Sequence, residues 1–123
     1  MRRAVLTLAL GLAGTAMAHE RLEDARRDVT HARIAVKEIS RDLAKIEAGD
    51  FSGSLTIEGG DIVKCGDPAK YPELNCAPYS DAEKAEMLAE MRSDLADAEA
   101  ELAKAEADLK AAETEAKASV TDR

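Results

Sequence analysis

Two stretches of the chain place apolar residues at alternating intervals of three and four without a gap, and this repeat dictates most of what the chain can become. In residues 19–48, Leu22, Val29, Val36 and Leu43 fall on heptad position a, and Ala25, Ala32, Ile39 and Ile46 on position d. In residues 81–118 the a series is Leu88, Leu95, Leu102, Leu109 and Ala116. The d series is Met91, Ala98, Ala105 and Ala112, continued just beyond by Ser119. Such spacing lines up one apolar stripe along a helix and is the signature of helices that wind around a partner. Neither stretch contains a glycine, proline or aromatic residue.

Everything that breaks a helix is gathered between them. Residues 49–80 hold Pro68, Pro72 and Pro78 and the aromatic residues Phe51, Tyr71 and Tyr79, together with most of the glycines. Gly and Pro interrupt periodic structure, so this segment reads as an irregular insert. Ser80 followed by Glu83 is a capping box that starts the second helix. Gly49 supplies the C′ stop of the first. The expected fold is therefore all-α, an antiparallel two-helix coiled-coil hairpin with an irregular tip.

Antiparallel packing sets a residues of one helix against d residues of the other. One register pairs Ile46 with Leu88, Leu43 with Met91, Ile39 with Leu95 and Val36 with Ala98. It continues through Ala32 with Leu102, Val29 with Ala105, Ala25 with Leu109 and Leu22 with Ala112. Alanine opposite a larger residue keeps each layer's volume even. At the flanks, Arg26 and Arg33 at e are expected to face Glu99, Glu106 and Glu113, and Arg21 at g to meet Glu115. The rest of the g edge is acidic: Asp28, Asp42, Asp94, Glu101 and Asp108. So thin a seam supplies little stability, since small cores rarely yield more than about 3–5 kcal/mol. Either the tip adds a small core or the protein forms a homo-oligomer.

Within the tip, Gly59-Gly60 between short β-branched runs reads as a hairpin turn. Ile57 is expected opposite Ile62 and Thr56 opposite Val63, with Tyr71, Leu74 and Tyr79 covering the ribbon.

The chain's first residues give an address. Arg2 and Arg3 precede an apolar run, and Ala16-Met17-Ala18 forms a small-x-small motif, the pattern of a signal peptide cleaved before His19. The run from Ala4 to Ala18 is fifteen residues long, against about twenty for a spanning helix. The division expected is 1–18 signal peptide, 19–48 first helix, 49–80 insert, 81–118 second helix and 119–123 a frayed tail. The localisation expected is periplasmic or secreted. The alternative is an inner-membrane protein anchored by an uncleaved leader.

Export decides the reading of the two cysteines. Cys65 and Cys76 are expected to form an intrachain disulfide, because exported proteins meet an oxidising compartment. They are not the C-x-x-C of a redox motif, and zinc needs two more ligands at suitable spacing.

Cleavage after Ala18 removes Arg2 and Arg3 and takes the formal charge from −8 to −10. That excludes nucleic acid as a partner and disfavours anionic lipid, and no stable membrane anchor is expected in the processed chain. His19 and His31 lie about 18 Å apart along a helix, too far to share a copper ion. Asp50, Glu58, Asp61, Asp67 and Glu73 in the insert match no calcium-loop spacing. No nucleophile has a base and an orienting group at hand. The chain reads as a non-enzyme without a cofactor or a metal.

What remains is an exported structural or protein-interaction module. The expected docking residues are Asp28, Asp42, Asp94, Glu101 and Asp108 along the acidic edge, for a basic protein partner, with Tyr71 and Tyr79 at the tip as anchors. The alternative is a small chaperone or stress protein binding envelope proteins, and the third reading is a cation-binding module. The leader reading is the first to test: amino-terminal sequencing of exported protein is expected to start His-Glu-Arg, and an intact Met1 in the membrane fraction refutes cleavage.

Overall fold

The computed structural model describes the backbone of residues 2–121 and the side chains of residues 16–119. The side chains of the expected leader through Thr15, and Asp122 and Arg123 of the expected tail, lie outside the described residues. In chain order the elements are helix α1 (Arg2–Glu47), strands β1 (Leu55–Glu58) and β2 (Asp61–Cys65), single 3-10 turns at Pro68–Lys70 and Pro72–Leu74, and helix α2 (Asp81–Thr121). The chain is mostly helical, with one two-stranded antiparallel sheet. It divides into two units, one of residues 1–36 with 97–123 and one of residues 37–96.

The first unit is a pair of helical segments. On α1 the sheltered residues are Ala18, Leu22, Ala25, Val29, Ala32 and Val36, with Ala35 beside them; on α2 they are Ala98, Leu102, Ala105, Leu109, Ala112 and Ala116, with Glu115 and Ser119. Apart from those three additions, Ser119 itself being a d residue, these are the a and d series. The sense of packing is antiparallel. Arg21 Nη2 lies 2.6 Å from Glu115 Oε1. Farther along α1, Ala25 and Asp28 line a cleft of about 280 Å³ together with Ala112 and Asp108. Rising numbers on α1 thus meet falling numbers on α2. The Arg21–Glu115 contact joins two g residues, as the register above requires.

Along the opposite, e edge the outcome differs. Arg26 and Arg33 make no ion pair among the described residues, and neither do Glu99, Glu106 and Glu113. An exposed pair is worth only about 0–1 kcal/mol and must order two long side chains, so nothing compels these to close within one chain.

The second unit is organised around the insert. Helix α1 ends in a Schellman motif: the Asp50 N–H donates to the Lys45 carbonyl (2.8 Å) and the Gly49 N–H to the Ile46 carbonyl (2.9 Å). Gly49 takes φ +87°, a left-handed conformation that glycine adopts without a Cβ penalty. Helix α2 begins with a reciprocal cap. The Glu83 N–H donates to Ser80 Oγ, and the Ser80 N–H donates to Glu83 Oε1, each at 3.1 Å. Both devices satisfy backbone groups that a helix end leaves orphaned.

Gly59 and Gly60, at φ +58° and +84°, make the tight turn between β1 and β2, because both central residues of a type I′ turn need positive φ. Ile57 pairs with Ile62, as expected, but Thr56 pairs with Lys64, not Val63. The cause is a bulge: Val63 is the extra residue, and the register shifts by one beyond it. The unit's buried side chains are Leu43, Ile46, Phe51, Cys65, Cys76 and Tyr79. Tyr71 is half-buried and Leu74 is exposed, so of the three residues expected over the ribbon Tyr79 is the one fully inside.

The heptad pattern makes a sharp prediction. Ala98 is buried at a d position and Ala96 is exposed at b. Ala98→Glu puts an unpaired carboxylate into the seam and is expected to destabilise by more than about 2 kcal/mol, whereas Ala96→Glu stays within about 0.5 kcal/mol. Chemical denaturation followed by circular dichroism measures both, and equal midpoints refute the inward assignment of Ala98.

Candidate interaction surface and the stapled tip

The tip is assembled on β2. One edge of β2 pairs with β1, and the other meets a single residue of the returning chain: the Cys65 N–H donates to the Ala77 carbonyl (3.0 Å) and the Ala77 N–H to the Val63 carbonyl (2.9 Å). The bulge leaves Val63 without a partner on β1, and its carbonyl serves this second contact. Next to it, Cys65 and Cys76 are disulfide-bonded with their Cα atoms 5.7 Å apart. The bond closes a loop worth roughly 3 kcal/mol in the chain-entropy model. Cys65 is wholly inaccessible to solvent.

The opposite face of the ribbon is closed by a phenol. Tyr79 is 7% exposed, and its hydroxyl lies 2.8 Å from Thr56 Oγ1. Gly66 follows the staple, and a Cβ built there would overlap the carbonyl of Phe51; the Gly66 N–H also donates to Ser54 O at 3.0 Å. Phe51 is buried beneath, with Lys84 Nζ 5.4 Å from its ring centroid, within cation–π range.

Two carboxylates are held in unusual settings. Glu83 caps α2 and also receives Lys64 Nζ, so the same side chain ties β2 to the start of a helix. The Lys64 contact, followed by the Ser80 N–H, holds the Glu83 carboxyl down at about 2. Asp50 Oδ1 accepts from Ser52 Oγ at 2.6 Å and from the Ser52 N–H at 3.0 Å. Those bonds, with Lys45 and Lys70 nearby, lower its pKa.

A cavity of about 380 Å³ opens beside this tip, lined by Asp42, Lys45, Ile46 and Met91 from the helices, Asp50 and Ser52 to Ser54, and Lys70 with Tyr71. It brings two of the expected docking residues together, Asp42 and Tyr71. Asp94, in the same unit, is exposed and does not line it. In the first unit Asp28 and Asp108 share the smaller cleft, and Glu101 is exposed without lining it. Tyr79 is placed inside the tip, where its ring supports the ribbon instead of facing solvent.

Sequence reasoning missed Phe51, Gly66, Lys64 and the second role of Glu83. Only Phe51 carried a signal: it is the sole phenylalanine and sits two residues after the helix stop. Among the described residues no three His, Cys, Asp or Glu side chains gather as a metal site, and no helix is long and apolar enough to cross a membrane. His19 pairs with Glu23, one turn on, at 3.2 Å. No protein-family model matches the chain, and neither a curated protein nor a solved structure shows significant similarity to it.

Glu83 gives the tip a pH dependence of defined sign. Its folded pKa lies below the ordinary 4.5, so its contribution is complete above that value and is lost as pH falls through about 2, below which both states are protonated. The stability gap between wild type and Glu83→Gln is expected to be constant near neutral pH and to close between about pH 4.5 and 2. A gap that stays constant across that window refutes the Lys64–Glu83 tie.

Proposed function

We propose that the chain is an exported coiled-coil hairpin that serves as a protein-interaction module and docks a basic segment of a partner protein at its stapled tip. The observation that carries this reading is the shared cavity of Asp42 and Tyr71. An unpaired cation of the partner would sit against Asp42, whose nearest cationic neighbour is the adjacent Arg41 at 4.0 Å. An apolar side chain would lie on Ile46 and Met91 beside the Tyr71 ring. Binding energy concentrates in such desolvated aromatic and apolar pockets, while exposed charges set the rate of encounter. Asp50 is already engaged by Ser52, which leaves Asp42 as the carboxylate open to the partner. The export address rests on the leader pattern and agrees with the disulfide.

The chaperone reading has one observation in its favour. Leu55 and Ile57, on one face of β1, are 47% and 63% exposed, and an open apolar strand is a surface that binds unfolded chains. Suppression of client aggregation by wild type, lost in an Ile57→Lys variant, would favour it over the docking module.

The docking reading is tested with a lysine-rich amphipathic peptide and stopped-flow anisotropy. Asp42→Lys is expected to slow association about tenfold and flatten its salt dependence. Tyr71→Ala is expected to speed dissociation by a similar factor with the salt slope unchanged. Binding of the peptide that neither substitution alters refutes the tip as the site.

A further inference from the structure

The e edge of the first unit is self-complementary, and we infer that it is the interface with a second copy of this chain. Three observations converge. First, the edge is divided by charge: Arg26 and Arg33 stand on α1, Glu99 and Glu106 on α2, all exposed and all without an ion pair among the described residues. Second, the g edge is closed by Arg21 and Glu115, so the e residues of both helices share the other broad side. Third, the seam is incompletely covered there. Leu102 and Leu109, at a positions that lean toward e, are only half-buried, whereas Ala98 and Ala112, at d on the g side, are buried. A half-covered apolar row rimmed by unpaired charge of both signs has the anatomy of an interface.

The charge pattern selects the symmetry. A two-fold axis parallel to the helices lays α1 of one copy over α2 of the other at equal height. Arg21 with Glu115, and Asp28 with Asp108, fix which residues share a height. On that scale Arg33 falls between Glu99 and Glu106 of the second copy, and Arg26 one heptad away between Glu106 and Glu113, each within reach of an arginine side chain. The leucines of both copies then meet near the axis and complete a four-helix core. An axis across the helices instead stacks α1 on α1, arginine against arginine, and is disfavoured by like charge. The interface is isologous, so each ion pair occurs twice.

This surface lies on the opposite edge from the acidic strip and is independent of tip docking. The net negative charge of each copy makes ionic strength an ambiguous probe, and charge reversal is the cleaner one. The protein is recovered as the cell processes it after expression of the full chain, and its mass is measured by sedimentation equilibrium over a concentration series. Wild type is expected to be a dimer. R26E/R33E and E99R/E106R, each checked by circular dichroism for retained helix, are expected to dissociate at least tenfold more readily. Mixed in equal amounts they are expected to recover the dimer, because each then supplies what the other lacks. A wild type that is monomeric throughout, a dimer indifferent to either double variant, or a mixture that stays monomeric overturns the proposal. Asp42→Lys, which bears on the tip alone, is expected to leave the mass unchanged.

Discussion

Strand β2 is constrained from every direction, and the second unit depends on that. Its outer edge is taken by β1, its inner edge by the Ala77 backbone, its last residue by the bond to Cys76, and its Lys64 side chain by Glu83 at the start of α2. A two-stranded ribbon alone is marginal in water. Here it gains a covalent tie, two extra backbone hydrogen bonds and a buried tyrosine beneath Thr56. Val63 and Cys65 flank Lys64, so the Val63 carbonyl and the Cys65 N–H point to the edge away from β1, where Ala77 takes both. Helix α2 begins only five residues after Cys76, so the same tie fixes where the second helix starts.

The seam works by a different economy. Its layers alternate alanine with larger aliphatic residues, which lets the helices approach closely yet buries little area per layer. Leu102 and Leu109 show the shortfall, since a single alanine-bearing neighbour cannot enclose a leucine. A stripe wider than one partner can cover is a sequence-encoded reason to look for another helix.

How far the sequence could be read follows from which interactions are periodic. The sheltered rows on α1 and α2, the Gly49 stop, the Ser80–Glu83 cap and the Gly59-Gly60 turn all come from local rules of spacing and dihedral preference, and each was legible. The disulfide was legible from compartment logic. The bulge at Val63 was not, because no local spacing marks it, and the contact beside it is with Ala77, fourteen residues on and outside the ribbon. Nor was the close approach of Gly66 to Phe51, which no local pattern encodes. On the docking side, exposed acids were easy to name. Which of them a cavity unites with an aromatic ring was a tertiary fact, and it removed Tyr79 from the surface while leaving Tyr71 there.

The burial of Ala18 carries a consequence for timing. This residue is 2% exposed within the continuous turns of α1, at the bond that the leader pattern marks for cleavage. Proteases act on chain that is locally open, and a helical bond packed at a seam must first unfold to be cut. Were the leader pattern used, an export peptidase would compete with helix formation for the same residues. Processing would have to run ahead of folding, while the chain is still emerging on the far side of the membrane. A molecule that folds first would keep its leader as an extension of α1, protected by the packing that a processed molecule completes without it.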